Sequence, residues 1–300
     1  MDVDTRLLRS FAAVAEEGNL TRAAERLYLS QPALTKQIRQ LETRLGTALF
    51  ARSKHGMALT GPGAALAAAA PDVLAAWDTA RRAVRAAEAE SSRVLRVSFL
   101  ASAANERTQP IIAAFRELRP DWRVELRQAS WGDPVAGLVS GEVDAGFMRL
   151  PFPRQEEFDA LPLLTEPRCV AMAADHPLAQ RDSLTMDDLL DEPFIAAPAA
   201  TGAFRDHWVA ADARGGRPVK VGAVTEHPDD WLTAIANGDG IAIAPASAAR
   251  YYARPDIAYR DVAGVGPSEV ALVWPKGTGT SGPLANLIAA AAALAEDGTR

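Results

Sequence analysis

Polar residues at helical spacing near the start of the chain have the chemistry needed to bind nucleic acid. In "SQPALTKQIRQLETRL", residues 30–45, Lys36 and Arg39 fall on one side of a helix, and Gln31 falls in its first turn. Cations and amides placed in this way can reach phosphates and base edges. The same pattern is also typical of a solvated helix in a bundle, because Lys and Arg are common on exposed helical faces.

Few other residues have the spacing of a chemical site. Cys169 is the single cysteine, so an internal disulfide and a multi-cysteine zinc site are excluded. The four histidines lack metal-ligand spacing such as HExxH, and neither GxSxG nor GxxxxGK[ST] occurs. We therefore expect the protein not to be an enzyme and to need no metal or other cofactor.

Length, composition and charge indicate a folded chain with a basic amino-terminal part. Three hundred residues, 48% of them hydrophobic and 23% charged, can form two or three globular units. No apolar run approaches the roughly 18 residues of a membrane-spanning helix, so we expect a cytoplasmic protein with no membrane contact. Residues 1–60 contain nine Lys or Arg and six Asp or Glu, a net charge of +3, which leaves −9 on the remainder. Chance also produces a difference of this size, but nucleic-acid contact is expected only at the amino-terminal part.

Three short helices are predicted to position the polar residues. Apolar residues at the i, i+3, i+4, i+7 spacing predict a helix from Asp4 to Glu17, with Gly18 as its stop. Thr21 is expected to cap a second helix, and Ser30 is expected to cap a third that ends at Gly46. The buried side of the third helix is predicted to contain Leu34, Ile38, Leu41 and Leu45. Two helices joined by a short turn, the second with a polar outer side, are typical of a helix-turn-helix.

The stretch "AAERLYLSQPALTKQIRQLETRLGTALFARS" resembles the winged helix-turn-helix of LysR-type transcriptional regulators. The resemblance covers residues 3–63, from the SQPAL start through the IRQLE core to the LGxxLF exit to a wing. It implies that the following residues contact double-stranded promoter DNA: Ser30, Gln31, Pro32, Thr35, Lys36, Arg39, Arg52 and Lys54. The family usually has Arg where Lys36 stands, and lysine lacks the planar fork of arginine. At Lys36 we therefore expect a phosphate contact more than recognition of a base.

The alanine-rich stretch after Gly63 predicts a long helix with an apolar seam. Leu, Ala, Val, Trp, Ala, Val and Ala stand at positions 66, 70, 73, 77, 80, 84 and 87, in alternating steps of four and three. A heptad seam of this length favours a partner helix. The family resemblance implies a linker helix, residues 61–90, that pairs two subunits, and packing on the same chain is the alternative. Pro71 predicts a kink or a late helix start.

From Arg93 onward, strand patterns alternate with helix patterns. Strands are predicted in "RVLRVSFL", "RVELRQAS" and "DAGFMRL", and helices in "NERTQPIIAAFRELRP" and "DPVAGLVSGEV". This order favours a largely parallel sheet covered on both faces, and its restart after Pro151 indicates two α/β lobes. With "SGEVDAGFMR", "DHPLA" and "IANGDGIAIAP", it resembles the two-lobed, periplasmic-binding-protein-like (type 2) effector domain of LysR-type regulators. The resemblance implies an effector-binding domain of residues 91–300, with a first lobe of about 91–165 and 266–300 and a second of about 166–265.

The same resemblance implies a ligand cleft between the lobes, where strand ends and helix amino-termini converge. The matching positions are Ala101, Ser102, Ser130, Trp131, Arg149, Pro198, Ala199, Ala200, Thr201 and His227. Hydroxyls and free amides suit an anion and aromatic rings suit an apolar body, so we expect a small aromatic or carboxylated effector. Each residue also has a structural interpretation: the hydroxyls can cap helices, Arg149 can pair with a local acid, and Trp131 can fill the core. The stretch "TEHPDDW", residues 225–231, is unusual, but we assign no chemistry to it.

These expectations combine into a ligand-responsive LysR-type regulator with an α/β fold. Its expected partners are promoter DNA, a small-molecule effector and copies of the same chain in a homodimer or homotetramer, with RNA polymerase as a further candidate. Effector binding is expected to change the angle between the lobes and so the bend of the bound DNA. The alternatives are an α/β enzyme with a helical appendage and an architectural DNA-binding protein with an empty cleft.

Overall fold

The computed structural model describes residues 3–27, 29–53, 56–101, 103, 105–133, 135 and 137–297. The chain divides into two compact units, Met1–Val84 and Arg85–Arg300. None of the helices in the described residues is long and apolar enough to cross a membrane.

The first unit is built from helices and a β-hairpin. Its elements are α1 (Thr5–Glu17), α2 (Leu20–Arg26), α3 (Gln31–Leu45), β1 (Phe50–Ser53), β2 (Gly56–Leu59) and α4 (Gly61–Ser92), of which α4 continues into the second unit. The predicted cap of α3 is confirmed, because the Ser30 hydroxyl accepts from the amide of Ala33. Asp4, predicted as the first residue of α1, is its cap, and its side chain accepts from the amide of Arg6. Each of these two helices ends at a glycine in the left-handed region, where a residue with a Cβ would be strained.

Two details of the helix starts differ from the sequence prediction. The cap of α2 is Asn19 and not Thr21, because Asn19 Oδ1 accepts from the amides of Thr21 and Arg22 at 2.8 and 3.2 Å. The late start of the linker helix is also wrong, since α4 begins at Gly61 and contains Pro71 in its interior. The hydroxyl of Thr60, just before α4, accepts from the Gly63 amide at 3.1 Å and so satisfies a donor of the first turn.

A small core holds α3 against the rest of the first unit. Its fully buried side chains include Leu7, Phe11, Leu34, Leu41 and Leu49. Because Leu34 and Leu41 point into this core, the opposite side of α3 faces solvent. The carboxylate of Glu42 accepts from the amides of Leu49 and Phe50 at 2.8 and 3.3 Å, which fixes the end of α3 to the start of the hairpin.

The second unit alternates strands and helices. Its elements are β3 (Val94–Leu100), α5 (Asn105–Leu118), β4 (Arg123–Ala129), β5 (Ala145–Leu150), β6 (Phe158–Glu166), β7 (Arg168–Ala173), β8 (Ser183–Thr185), α6 (Met186–Leu189), β9 (Pro193–Ala196), α7 (Ala203–Trp208), β10 (Lys220–Val224), α8 (Pro228–Ala236), β11 (Ala242–Pro245), α9 (Ala248–Tyr251), β12 (Ile257–Ala263), β13 (Ser268–Pro275) and α10 (Gly282–Asp297). The strands form a five-stranded sheet in the order β4-β3-β5-β13-β6, a four-stranded sheet in the order β11-β7-β12-β8, and a parallel pair of β9 and β10. The chain passes from the five-stranded to the four-stranded sheet between β6 and β7, and it returns between β12 and β13.

The prediction of a largely parallel sheet is wrong in its second half. β3 pairs in parallel with β4 and β5, but β13 is antiparallel to both β5 and β6. The late return of the chain through β13 therefore gives a mixed sheet. The helix predicted in "DPVAGLVSGEV" is also wrong: its described residues form turns. Gly137 and Gly141 have φ values of +77° and +67°, which are incompatible with a continuous right-handed helix.

Candidate functional site

The outer side of α3 forms an exposed polar surface on the first unit. A shallow groove on this surface is lined by Gln31, Pro32, Thr35, Lys36 and Arg39. All of these residues are exposed except Thr35, which is half-buried. Within the described part of the chain, no hydrogen bond or ion pair occupies the side chains of Lys36 and Arg39. Their charges are therefore available to an anionic partner such as phosphate.

Of the other sequence-predicted DNA-facing residues that the structure describes in full, Ser30 does not line this groove. The Ser30 hydroxyl accepts from the Ala33 amide at 3.3 Å and so serves as a helix cap. The Thr35 hydroxyl donates to the Gln31 carbonyl at 2.9 Å, which leaves its oxygen free to accept one hydrogen bond from outside. The backbone of Arg52 lies in β1 opposite Met57, but its side chain, like all of Lys54, lies outside the described residues.

A cavity lies between the two sheets of the second unit. The centre of a water-sized sphere can occupy about 70 Å³ of it, which is room for a compact molecule. Its lining consists of apolar, aromatic and two polar side chains: Leu100, Ala101, Trp131, Arg149, Ile195, Ala196, Ala197, Phe204, Trp208, Thr225, Trp231, Ile243, Ala244, Pro245, Ala248 and Tyr252. These residues come from the ends of β3, β4 and β5 on one side, and from β9, β11 and the short helices on the other.

Aromatic rings form two walls of this cavity. Trp131 and Trp231 make an edge-to-face contact with 6.0 Å between ring centroids, and Tyr252 continues this wall at 6.3 Å from Trp231. Phe204 and Trp208 make a similar contact at 6.2 Å. Rings in these arrangements are held rigidly by one another, so they present fixed apolar surfaces to a ligand.

Arg149 supplies the cation of the cavity, and only part of its guanidinium is hydrogen-bonded. The residue is 4% exposed. Its Nη1 donates to Glu166 Oε1 at 3.0 Å and to Ser268 Oγ at 2.9 Å. Its Nη2 is buried without a hydrogen-bond partner, and the Oγ1 of Thr225 is in the same condition. Burial lowers the pKa of Arg149, and the adjacent Glu166 opposes that shift.

Glu166, the last residue of β6, connects the two sides of the cavity. Besides the bond from Arg149 of β5, its carboxylate accepts from the amide of Ser247 at 2.8 Å and from the Ser247 hydroxyl at 3.1 Å. Ser247 precedes α9, which belongs to the opposite side. A backbone bond of 2.7 Å from the amide of Trp131 to the carbonyl of Glu226 joins the same two sides at another point.

A second buried arginine lies in this region, and Asp212 is the charged group that acts on it. Arg168 is 3% exposed and donates to the backbone carbonyls of Gly266 and His207. Among the described residues, no carboxylate lies within 4 Å of Arg168 in an ion pair. The pKa of His207 is lowered to about 4, mainly by burial and further by the positive charges of Arg168 and Arg149. His207 is therefore neutral at pH 7, and its buried Nε2 has no partner.

Comparison with known protein families assigns both units. Residues 5–64 match the helix-turn-helix domain described as "Bacterial regulatory helix-turn-helix protein, lysR family", and residues 88–296 match the "LysR substrate binding domain". The chain belongs to the LysR family of transcriptional regulators. The family assignment confirms the predicted fold class: an amino-terminal helix-turn-helix followed by an effector-binding domain of mixed α/β structure.

Named relatives of this LysR-type regulator are themselves transcriptional regulators. It is 33% identical over 290 residues to the uncharacterized HTH-type transcriptional regulator YnfL of Escherichia coli (strain K12), covering 92% of this chain and 93% of the relative. It is 31% identical over 277 residues to the Hca operon transcriptional activator HcaR of the same strain, covering 92% and 93%. Among solved structures, full-length CbnR complexed with its target DNA superposes with a TM-score of 0.52 at 27% identity, covering 98% of this chain and 100% of CbnR. The regulator is thus a DNA-binding protein with an effector-binding domain, and not an enzyme.

The structure brings three of the ten sequence-predicted effector residues to the cavity of the regulator: Ala101, Trp131 and Arg149. The others that it describes lie outside the lining. The Ser130 hydroxyl accepts from the Asp133 amide at 3.1 Å, and the Thr201 hydroxyl donates to the Pro198 carbonyl at 2.7 Å. Ala199, Ala200 and His227 are exposed. Ser102 lies outside the described residues.

Sequence reasoning missed several lining residues, of which Thr225, Trp208 and Trp231 are the most informative. One signal could have identified two of them. The unexplained stretch "TEHPDDW" begins with Thr225 and ends with Trp231, and both of these residues line the cavity. Between them, the carbonyl of Glu226 accepts the cross-cavity bond from Trp131. The middle of this stretch is the start of α8, with His227 before it, Pro228 at its first position and Asp229 and Asp230 in its first turn.

One glycine-rich stretch has the spacing of a dinucleotide-binding fingerprint without its context. "GTGTSG", residues 277–282, fits GxGxxG and connects β13 to α10. That fingerprint binds a pyrophosphate when it follows a strand of a parallel βαβ unit. β13 is instead antiparallel to both of its neighbours. The stretch is therefore a connection and does not indicate a nucleotide cofactor.

Proposed function

We propose that this LysR-type regulator binds promoter DNA through the outer side of α3, with Gln31, Pro32, Thr35, Lys36 and Arg39 at the duplex. The exposed, unpaired cations of this surface support the proposal, because phosphate contacts supply much of the affinity of DNA-binding proteins. We assign phosphate contact to Lys36 and groove contact to Arg39, whose planar fork can recognise guanine. Ser30 acts here by capping α3, and Arg52 and Lys54 complete the surface from the wing.

The regulator is proposed to act as a homodimer that α4 holds together, and as a homotetramer if dimers pair further. The apolar seam of α4 supports this pairing: Val73, Trp77 and Val84 are 50%, 47% and 70% exposed in the single chain. Such a row of exposed apolar side chains favours a partner helix. We accordingly propose a DNA-binding domain of residues 1–60, a linker helix of 61–90 and an effector domain of 91–300, with RNA polymerase as a further partner at the promoter. The first lobe of this effector domain consists of residues 91–165 and 266–300, and the second lobe consists of residues 166–265.

The cavity of the second unit is proposed to bind the small-molecule effector. Arg149, Trp131 and Ala101 line it together with Thr225 and the other tryptophans. A ligand that binds one arrangement of the two lobes more tightly than another shifts the population toward that arrangement. Promoter occupancy and DNA bending then respond to the effector by a coupling of about 1–3 kcal/mol, which is typical of allosteric proteins.

DNA binding by the α3 surface is tested by fluorescence anisotropy with a labelled duplex from the region upstream of the gene. Lys36→Ala and Arg39→Ala are each expected to weaken binding about 5-fold or more, with Lys36→Ala also lowering the salt slope by about one. Arg6→Ala is the matched control, since Arg6 is an exposed cation of α1 outside the groove. Equal affinity of all three variants and the unchanged regulator would contradict the assignment of this surface.

Effector binding is tested with a reporter gene under the same promoter region and a panel of small metabolites added to the medium. At least one compound is expected to change reporter expression in cells that carry the regulator. Trp231→Ala removes part of the cavity wall and is expected to reduce that response. Tyr251→Ala, which removes an exposed aromatic ring outside the lining, is expected to retain it. A response that survives Trp231→Ala unchanged would place the effector elsewhere.

A further inference from the structure

The charge that the effector carries follows from the hydrogen bonds of Arg149, provided that the cavity is the effector site proposed above. A guanidinium remains charged in proteins and has five N–H donors. Glu166 and Ser268 occupy Nη1, whereas Nη2 is buried with no acceptor among the described residues. A buried charged donor without an acceptor is costly, so an occupant of the cavity that brings an acceptor is favoured.

The charge balance around Arg149 makes an anionic acceptor more suitable than a neutral one. Two buried arginines, Arg149 and Arg168, act on His207, and Asp212 acts on it in the opposite sense. Of the described carboxylates, only Glu166 forms an ion pair with either of them within 4 Å. A negative group on the ligand would therefore meet the unpartnered end of a buried cation. Hydrogen bonds between a carboxylate and a guanidinium are also stronger than those to a neutral acceptor.

The rest of the lining has no partner for a second charge. Apart from Arg149, the described lining contains no cationic side chain, and its one buried polar atom without a hydrogen-bond partner is Thr225 Oγ1. This hydroxyl can donate or accept one hydrogen bond but cannot neutralise a charge. A second carboxylate buried against Trp131, Trp208 and Trp231 would lose its hydration without compensation. The lining therefore selects against dianions.

We infer that the effector is a compact monoanion: a single carboxylate that binds Arg149 Nη2, attached to an aromatic body that lies between the tryptophan walls. A hydroxyl or carbonyl on that body can bind Thr225 Oγ1. The cavity, in which the centre of a water-sized sphere can occupy about 70 Å³, has room for a compact molecule of this kind.

The experiment uses matched probes: an amide of nearly the same size as the monoanion, and a dianion that adds a second carboxylate. Benzoate, benzamide and terephthalate form one set, and phenylacetate, phenylacetamide and 1,4-phenylenediacetate form a second set with a longer arm. Dissociation constants of the full-length regulator are measured by tryptophan fluorescence quenching, since three tryptophans line the cavity, and are checked by calorimetry. In at least one set, the monoanion is expected to bind about tenfold or more tightly than both the amide and the dianion.

Variants of Arg149 then identify the group that recognises the charge. Arg149→Gln is expected to remove the preference for the monoanion over the amide, and Arg149→Lys is expected to retain part of it. Arg214→Gln is the matched control, because Arg214 is another buried arginine with an unpartnered Nε but does not line the cavity. Arg214→Gln is expected to change the stability of the regulator and to keep its preference for the monoanion over the amide. Thr225→Val, of equal size, gives a second variant that leaves the ion pair of Arg149 intact.

Several results would overturn the inference. These are amides or dianions that bind as tightly as the monoanion, a preference that persists in Arg149→Gln, and a complete failure of both sets to bind. The reporter assay separates this failure from that of the proposed effector site. A promoter response to neutral or dianionic compounds that is lost in Trp231→Ala would reject the monoanion and retain the effector cavity, whereas a response insensitive to Trp231→Ala would reject both.

Discussion

Replacing Trp77 with alanine tests whether the seam of α4 joins two subunits. A tryptophan buries up to about 250 Å² in a core, and Trp77 is 47% exposed, so about 100 Å² of its surface remains to be covered. At about 25 cal/mol per Å², covering that surface stabilises by about 2.5 kcal/mol per subunit. If pairing covers half of it in each of two subunits, Trp77→Ala weakens the dimer by about 2.5 kcal/mol, or roughly 60-fold in dissociation constant.

The assay for this prediction is sedimentation velocity over a concentration series, with circular dichroism to verify that α4 remains helical. Val84→Ala, a smaller truncation at another seam position, is expected to weaken the dimer to a lesser extent. Tyr251→Ala is the control, because it removes an aromatic ring of comparable exposure, 41%, from α9 instead of α4. A dissociation constant unchanged in Trp77→Ala, or equally weakened in Tyr251→Ala, would refute the argument from the exposed seam.

Three further predictions concern the second unit. Glu166→Gln leaves the buried guanidinium of Arg149 without its counter-charge and is expected to lower the free energy of unfolding of the unit by about 3 kcal/mol. Chemical denaturation measures this free energy, and a decrease below about 1 kcal/mol would contradict the role of Glu166. The pKa of His207 is about 4 in the folded chain against 6.5 for the free side chain, so the unfolded chain binds more protons between these values. The free energy of unfolding should therefore be undiminished above pH 6.5 and fall as the pH drops toward 4. His207→Gln should flatten this pH dependence. An equal slope in the variant would exclude His207 as the source of the pH dependence. Burial raises the pKa of Cys169 to about 12, so this thiol should resist both peroxide and thiol reagents until the chain unfolds; rapid labelling of the native regulator, followed by mass spectrometry, would contradict that expectation.

The DNA-binding part was largely predictable because its signals are local. The periodicity of Leu34, Ile38 and Leu41 and the cap at Ser30 determine which side of α3 is buried, and both follow from neighbours in the chain. The error at Thr21 is of the same local kind, since Asn19 competes for the same amides two residues earlier.

The cavity was less predictable because it is assembled from distant parts of the chain. The family resemblance identified Ala101, Trp131 and Arg149 at strand ends, but Thr225 and Trp231 reach the cavity only through the packing of β10 and α8. No periodicity reports such long-range contacts. The mixed direction of the five-stranded sheet was missed for a related reason: β13 pairs with strands more than 100 residues earlier in the chain.

Arg149 lines the cavity with one terminal nitrogen unpartnered, while the other donates to Glu166, which in turn holds Ser247 at the start of α9. If the effector binds Arg149 as inferred above, detection and response share a single planar group only a few ångströms wide. The ligand would then act on the contact between the lobes through Arg149 without a chain of intermediate residues. The strength of this coupling would depend on how Arg149 divides its hydrogen bonds between the ligand carboxylate and Glu166.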